Sequence, residues 1–412
     1  MPQVRSRVRG SGGRVALIVA IPLLLLAALV ARGGLLSSAD PGDLGRYLEF
    51  SDQILDGELP YRDFYMEYPP GAAPFFVAPQ ALAGADDYNL AFKLLATAAL
   101  VLILVGLAAA LARLQADRTR VALALGLVAV TPAALGAVVL NRYDVWPVLL
   151  LVLALGAILG ARDRLGFGLL AAGAAVKIFP AVVLPVAALH VLRTRGPRAL
   201  GGALAVFAAV GLVLVLPLAV LAPGGFGFSV KTQLIRQLHL ESVMASILLA
   251  ADKVGVYSAR IVAGKPGSLD LGGNLPDVLG VLTTLLLAAA LGAVVLASWR
   301  AEESPELLVA GAAASLAAVV AFSKVISPQF LIWLVPLVPL VWGRLGLVAS
   351  GLLSLALVLT QVEVVYEHPL RAGGWPVWAL LARNAVLVLL FVTLLWAVRA
   401  LPRRGDPGAA PP

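Results

Sequence analysis

Apolar runs of bilayer length recur along this chain from near its start to near its end, and that recurrence leaves few folds open. Crossing a hydrocarbon core takes about 20 mainly apolar residues in a helix. Only helices or closed barrels can cross, because lipid satisfies no backbone hydrogen bonds. Such runs lie near 15–30, 88–112, 121–140, 145–160, 199–222, 276–299, 306–322, 329–343, 345–365 and 375–398. The chain is 61% hydrophobic and 13% charged, where a soluble domain is nearer half apolar and a quarter charged. A water-soluble enzyme is excluded, and the expected fold is an all-α integral membrane bundle.

Arginine sets the orientation. Arg5, Arg7, Arg9 and Arg14 precede the first run; Arg113, Arg118, Arg120, Arg162, Arg164, Arg193, Arg195, Arg198, Arg300, Arg344, Arg399, Arg403 and Arg404 follow at alternate run ends. Cytoplasmic loops collect such residues. Leu165 to Leu192 has arginines on both flanks, so it is expected to enter and return as two short helices around Lys177 to Pro180. The count is then about twelve spans with both termini cytoplasmic. A basic N-terminus occupies 1–14, the membrane domain 15–400, and a Pro/Gly-rich, unstructured tail 401–412. A signal peptide fits the start less well, since no small-x-small cleavage site follows. The net charge of +8 reflects this topology and is no argument for nucleic acid. Without cysteine, disulfides, thiol nucleophiles and thiolate metal sites are excluded.

Two long external segments remain, 36–87 and 223–275, on one face of the membrane. Ten of the 23 acids fall in the first, and Glu363 is the nearest to a mid-span acid. The first also carries Tyr47, Tyr61, Tyr65 and Tyr68, and reads either as an interfacial belt with wet acids or as a scaffold for carboxylates. Pro69-Pro70 favours the scaffold: it fixes two φ angles and holds Tyr68 extended. Gly71 to Ala83 is too short to span comfortably and reads as interfacial or re-entrant. Lys177 in an apolar hairpin is either a functional cation or a side chain that snorkels to water. Asn141-Arg142-Tyr143-Asp144 reads as a solvated turn with a local Arg–Asp pair. Arg236, His239 and Glu241 cluster before an apolar helix, and Lys324 to Gln329 is a polar span entrance. The three histidines are His190, His239 and His368. No metal-ligand spacing, phosphate-cradling glycine loop or Ser/His/Asp arrangement is visible.

The order Asp43-x-x-x-Tyr47, Gly57-x-x-Pro-Tyr61-x-Asp63 through Tyr68-Pro-Pro, Lys177-x-x-Pro180, Arg236 to Ser242 and Ser327-Pro-Gln329 resembles glycosyltransferase family 87. Those are polyprenol-phosphate-mannose-dependent mannosyltransferases of the GT-C class. The resemblance runs from about 40 to 340. It implies a catalytic aspartate in the first external loop, falling here on Asp43, with Asp63 at a family-like position of unassigned role. It also implies a polyprenyl-phosphate-linked sugar donor, a lipid or glycan acceptor, and an extracytoplasmic active site in a bacterial plasma membrane. No cofactor is implied by the motifs.

Elementary chemistry agrees. A sugar on a lipid phosphate already has a good leaving group, so the acceptor hydroxyl needs only a base, and the developing phosphate charge needs cations. Lys177, Arg236 and Lys324 are the candidates, with Tyr47, Tyr61, Tyr68, His239, Glu241 and Gln329 around them. The competing class is a secondary transporter or permease, which shows repeats and midplane charges; neither is evident here. A membrane scaffold without an active site is a third possibility.

Overall fold

A computed structural model of the chain describes residues 2–32, 42–264, 268–365, 370 and 374–403. The Glu363 side chain, His368 and the tail from Arg404 lie outside the described residues, as do 36–41 of the first external segment and the side chains of Arg5, Arg7 and Arg9. Two compact units divide the chain, one running up to Leu234 and the other from Ile235 onward.

The first unit is helical throughout. α1 (Pro2–Arg32), α2 (Leu44–Leu55), α3 (Ala73–Ala83), α4 (Tyr88–Arg113), α5 (Arg118–Leu135), α6 (Val145–Leu159), α7 (Asp163–Val176), α8 (Leu184–Leu221) and α9 (Pro223–Leu234) follow in order. α1 packs on α5, α6 on α4 and α7, and α7 on α8. α7 ends where Lys177 turns extended (φ −155°, ψ 133°), and a 3-10 turn at Phe179–Val183 leads into α8. Gly196, at φ +83°, breaks α8 in turn. The hairpin expected around Lys177 to Pro180 is thus present as two short helical arms. Pro180 contributes to the break, because it has no N–H to give the Val176 carbonyl and so cannot continue the α7 ladder.

The second unit carries α10 (Val243–Lys253), α11 (Asn274–Arg300), α12 (Pro305–Phe322), α13 (Gly343–Val365) and α14 (Val377–Arg399). A small sheet of β1 (Leu238–His239), β2 (Ile261–Ala263) and β3 (Leu269–Leu271) has antiparallel order β1-β3-β2. Leu238, Leu240, Leu249, Leu271, Val377 and Leu380 form one buried cluster, which ties the sheet to α10 and α14.

Eight helices among the described residues are long and apolar enough to cross a membrane, and with them the chain is a multi-pass membrane protein. Twelve regular spans were expected, and the difference is local. Residues 329–343 do not form a helix: Pro328, Pro336 and Pro339 remove donors, and the chain runs as two 3-10 turns, Pro328–Trp333 and Val338–Leu340. Irregular backbone at such depth is tolerated when protein covers it, and Leu331, Ile332, Val338 and Leu340 are buried. α6 and the two hairpin arms are likewise short.

Two outcomes follow from this architecture. Gly71 lies so close to α7 that a Cβ there would sit 2.7 Å from the Ala175 carbonyl carbon and oxygen. Gly71→Ala should therefore destabilise the folded chain by about 1–3 kcal/mol in a detergent melting experiment, whereas Gly126→Ala, which meets nothing within 4 Å, should not. The arginine alternation predicts orientation. Single cysteines at the exposed positions Glu58 and Ser258 should label with an impermeant maleimide in intact cells, and one at Thr119 should not; the reverse pattern would invert the topology.

Candidate functional site

Asp43 stands at the N-terminus of α2 with its side chain one-third exposed. Two hydroxyls donate to one of its two oxygens, and a guanidinium forms an ion pair with the same atom. The hydroxyls of Tyr47 and Tyr68 lie 3.3 and 3.4 Å from Oδ2, and the Arg142 guanidinium lies 3.3 Å from the same atom. Tyr47 reaches it because one helical turn separates i from i+4; Tyr68 stands just before the Pro69-Pro70 corner, where Pro69 is extended (φ −61°, ψ 156°). Both phenols are pushed well above the ordinary tyrosine range, first by burial and then by neighbouring groups including Asp43. They therefore stay protonated and act as donors. Gly42, at φ +65°, gives Arg142 room, since a Cβ there would collide with the guanidinium.

Tyr47, Tyr68 and Phe76 belong to a packed aromatic core, and the reading of a wet interfacial belt fails for them, whereas Tyr65 is exposed. Tyr47 is fully buried. It stacks on Phe76 at 4.5 Å and Phe92 at 5.5 Å, and meets Tyr143 edge-on at 5.8 Å. Tyr68 meets Tyr143 at 5.0 Å. The rings immobilise Asp43 from behind while its carboxylate faces outward.

Asn141 to Asp144, expected as a solvated turn, is buried, with Asn141, Tyr143 and Asp144 at most 3% exposed. Its charges reach partners far off in sequence. Arg142 turns to Asp43, and Asp144 accepts a hydrogen bond from the Lys177 ammonium at 2.7 Å. The same ammonium lies 4.7 Å above the Tyr143 ring, a favourable cation–π placement. Lys177 thus does not simply snorkel; a buried carboxylate holds it.

Asp63 belongs elsewhere. It pairs with Arg62 at 2.8 Å and accepts the Leu59 N–H at 2.7 Å. These bonds, Arg62 first, hold its carboxyl down near 2. It is a turn-stabilising residue on the surface and is not brought to Asp43. Tyr61 sits beside this turn at φ +68°; its hydroxyl donates to the Tyr68 carbonyl at 2.5 Å and its ring meets Phe226 of α9. Tyr65 meets Phe228, and the Ser229 hydroxyl donates to the Met66 carbonyl. α9 therefore fastens the strap that ends in Tyr68.

The second unit holds a separate polar cluster. The Arg236 guanidinium donates to Ser268 Oγ at 2.9 Å, and that hydroxyl to Asp270 at 3.0 Å. The His239 N–H donates to the Lys324 carbonyl, and His239 Nδ1 accepts the Glu241 N–H at 3.4 Å. Arg383, on α14 and fully buried, lies 3.6 Å from the Glu241 carboxylate. Burial first, then Arg236 and Arg383, lower the His239 imidazole to about 3. Burial and Arg236 also lower the Lys324 ammonium. Three cations against Glu241 and Asp270 leave an excess of positive charge, suited to an anion. Gln329 is half-buried at the start of the first 3-10 turn and is not joined to this cluster.

The structure thus unites Asp43, Tyr47 and Tyr68, with Tyr61 behind them and Lys177 below Tyr143; separately it unites Arg236, His239, Glu241 and Lys324. Sequence reasoning assigned no site role to Arg142, Tyr143, Asp144, Arg383 or Asn384. An arginine within an apolar run was the signal available for Arg383. Among the described residues no three His, Asp or Glu side chains converge to hold a metal ion.

Comparison with known proteins accords with this fold. The model of glycosyltransferase family 87 matches residues 65–328, and the chain belongs to that family. No curated protein matches it. Among solved structures it resembles ArnT from Cupriavidus metallidurans bound to undecaprenyl phosphate, with a TM-score of 0.51 and 16% identity over 92% of this chain and 76% of that one. The expected GT-C-type helical membrane fold is therefore the observed one, and family membership sets aside the transporter and scaffold readings.

The Asp144–Lys177 pair makes a stability prediction. Removing one partner strands a buried charge, which costs about 3–5 kcal/mol. Asp144→Asn alone should lower the melting temperature strongly, and adding Lys177→Met should restore part of the loss. A double mutant less stable than either single would show that the two side chains act independently.

Proposed function

We propose that the chain transfers a sugar from a polyprenyl-phosphate donor to a hydroxyl of a lipid-linked or glycan acceptor at the extracytoplasmic face, inverting the anomeric centre, with Asp43 as general base. The resemblance noted in the sequence makes mannose the first sugar to test. The observation that carries this reading is the convergence of Tyr47, Tyr68 and Arg142 on Asp43 Oδ2. With Oδ2 so engaged, Oδ1 is the oxygen left for an acceptor. A base must be oriented before it is useful, and this one is held on one oxygen while its side chain remains one-third exposed.

In the reaction the acceptor O–H gives its proton to Asp43 as its oxygen bonds to the anomeric carbon. The bond from that carbon to the phosphate oxygen breaks, and polyprenyl phosphate leaves with the electron pair. No acid is needed for such a leaving group, but its charge must be met. Within the second unit, we assign the binding of a lipid phosphate to Arg236 and Lys324, with the His239 imidazole as a neutral donor. The charge of Lys177 is already met by Asp144, and we assign it to holding Tyr143, and through it Tyr68, in place. The solved neighbour that shares the fold carries a lipid of this class, which supports the choice of donor.

The test is a membrane assay with radiolabelled polyprenyl-phosphate-mannose. Asp43→Asn keeps shape and removes the base, so turnover should fall by about 10²–10⁴ at unchanged expression and donor binding. Asp56→Asn and Asp63→Asn should stay near wild type. Full activity in Asp43→Asn together with loss in Asp63→Asn would transfer the role to Asp63.

A further inference from the structure

α14 contains a feature that neither the family match nor the proposed reaction uses. Arg383 and Asn384 lie side by side within an apolar helix, and both are wholly buried. A guanidinium within a membrane helix is expensive and marks a functional role by default. Several of its contacts converge on one corner. Arg383 Nη2 donates to the Glu241 carbonyl at 2.7 Å and to Asn384 Oδ1 at 2.9 Å, and Nε donates to the same Oδ1 at 3.1 Å. Asn384 Nδ2 donates to the carbonyls of Glu241 and Ser242 at 3.1 and 3.2 Å. The Glu241 carbonyl therefore receives two side-chain donors from one helix, while Arg383 also faces the Glu241 carboxylate at 3.6 Å.

The corner these bonds hold is short, and backbone bonds also bear on it: the Ser242 N–H donates to the His239 carbonyl and the Leu240 N–H to the Leu269 carbonyl, both at 2.9 Å. Ser242 caps α10 through the Ala245 N–H, and the Glu241 N–H reaches back to His239 Nδ1. His239 is held in turn by the Lys324 carbonyl and faces Asp270 across β1 and β3. With Nδ1 accepting, the ring proton of a neutral imidazole is on Nε2, which leaves that nitrogen as a donor. We propose that Arg383 and Asn384 are positioning residues for the donor-phosphate site: from within α14 they clamp the Glu241–Ser242 corner and so set where Arg236, His239 and Lys324 present their donors. This rests on the assignment of the phosphate to that cluster. The guanidinium suits the task because its planar fork bonds two acceptors in fixed directions, where an ammonium is a point charge.

Binding of decaprenyl phosphate and of decaprenol to the purified full chain, compared by native mass spectrometry in detergent, tests the clamp without knowledge of the sugar. Wild type should prefer the phosphate, and Arg236→Met should lose that preference. Arg383→Met and Asn384→Ala should each reduce the preference about tenfold, the scale of hydrogen bonds made by charged groups, and the double variant should lose little more than either single. Arg383→Lys should recover only part. A helix-packing role alone would lower the melting temperature and the binding of both lipids in parallel, with the preference kept, and would overturn the clamp. Should Arg383→Met fail to fold, Asn384→Ala decides the matter, because it leaves the charge in place. If Arg236→Met keeps the phosphate preference, the site itself is misplaced and the clamp falls with it; if Arg236→Met loses the preference while Arg383→Met and Asn384→Ala keep it, only the clamp falls.

Discussion

Two ion pairs crossing at one tyrosine organise the first unit. Arg142 and Asp144 flank Tyr143, and each reaches a partner far away in sequence: Arg142 takes Asp43 after the first helix, and Asp144 takes Lys177 at the end of α7. The Tyr143 ring fills the space between, touching Tyr47, Tyr68 and the Lys177 ammonium. Neither pair is a surface ornament. Asp144 is fully buried, where an uncompensated carboxylate would be untenable. The position of the carboxylate assigned as base thus depends on charges contributed from three separate stretches of chain.

The two units treat charge differently. In the first, Asp43 pairs with Arg142, Asp144 with Lys177, and Glu67 with Arg46 at 2.7 Å. In the second, Arg236, Lys324 and Arg383 outnumber Glu241 and Asp270, and burial first, then the neighbouring cations, lower His239 and Lys324. One arrangement fits proton transfer and the other fits an anion.

Periodicity and hydropathy made the helical membrane fold, the break at Lys177 and the polar clusters legible in the sequence, because each is a local pattern. The partners of the charges were not. Arg142 and Asp144 are separated by one residue and read naturally as a local pair, yet their side chains point to different partners. The choice depends on tertiary packing around Tyr143. The span expected over 329–343 failed for a reason written in the chain, Pro336 and Pro339 within it and Pro328 at its entrance, which hydropathy alone ignores. Arg383 went unassigned because a window average dilutes one cation among apolar neighbours. Asp63 looked like Asp43 as a loop carboxylate; the difference lies in Arg62, which sits beside it and engages both its oxygens.

The pairing of Asp144 with Lys177 also bears on how the chain is built. The lysine follows its partner by 33 residues, so during synthesis from the N-terminus the carboxylate emerges first. α6 begins right after it and can settle in the bilayer with Asp144 waiting at its head. The hairpin that brings Lys177 then enters as the second half of a neutral couple, and its lysine need not cross apolar surroundings as a lone ion. The break in α7 is in this sense a docking step in biogenesis, in which an early helix prepares the place that a later one requires.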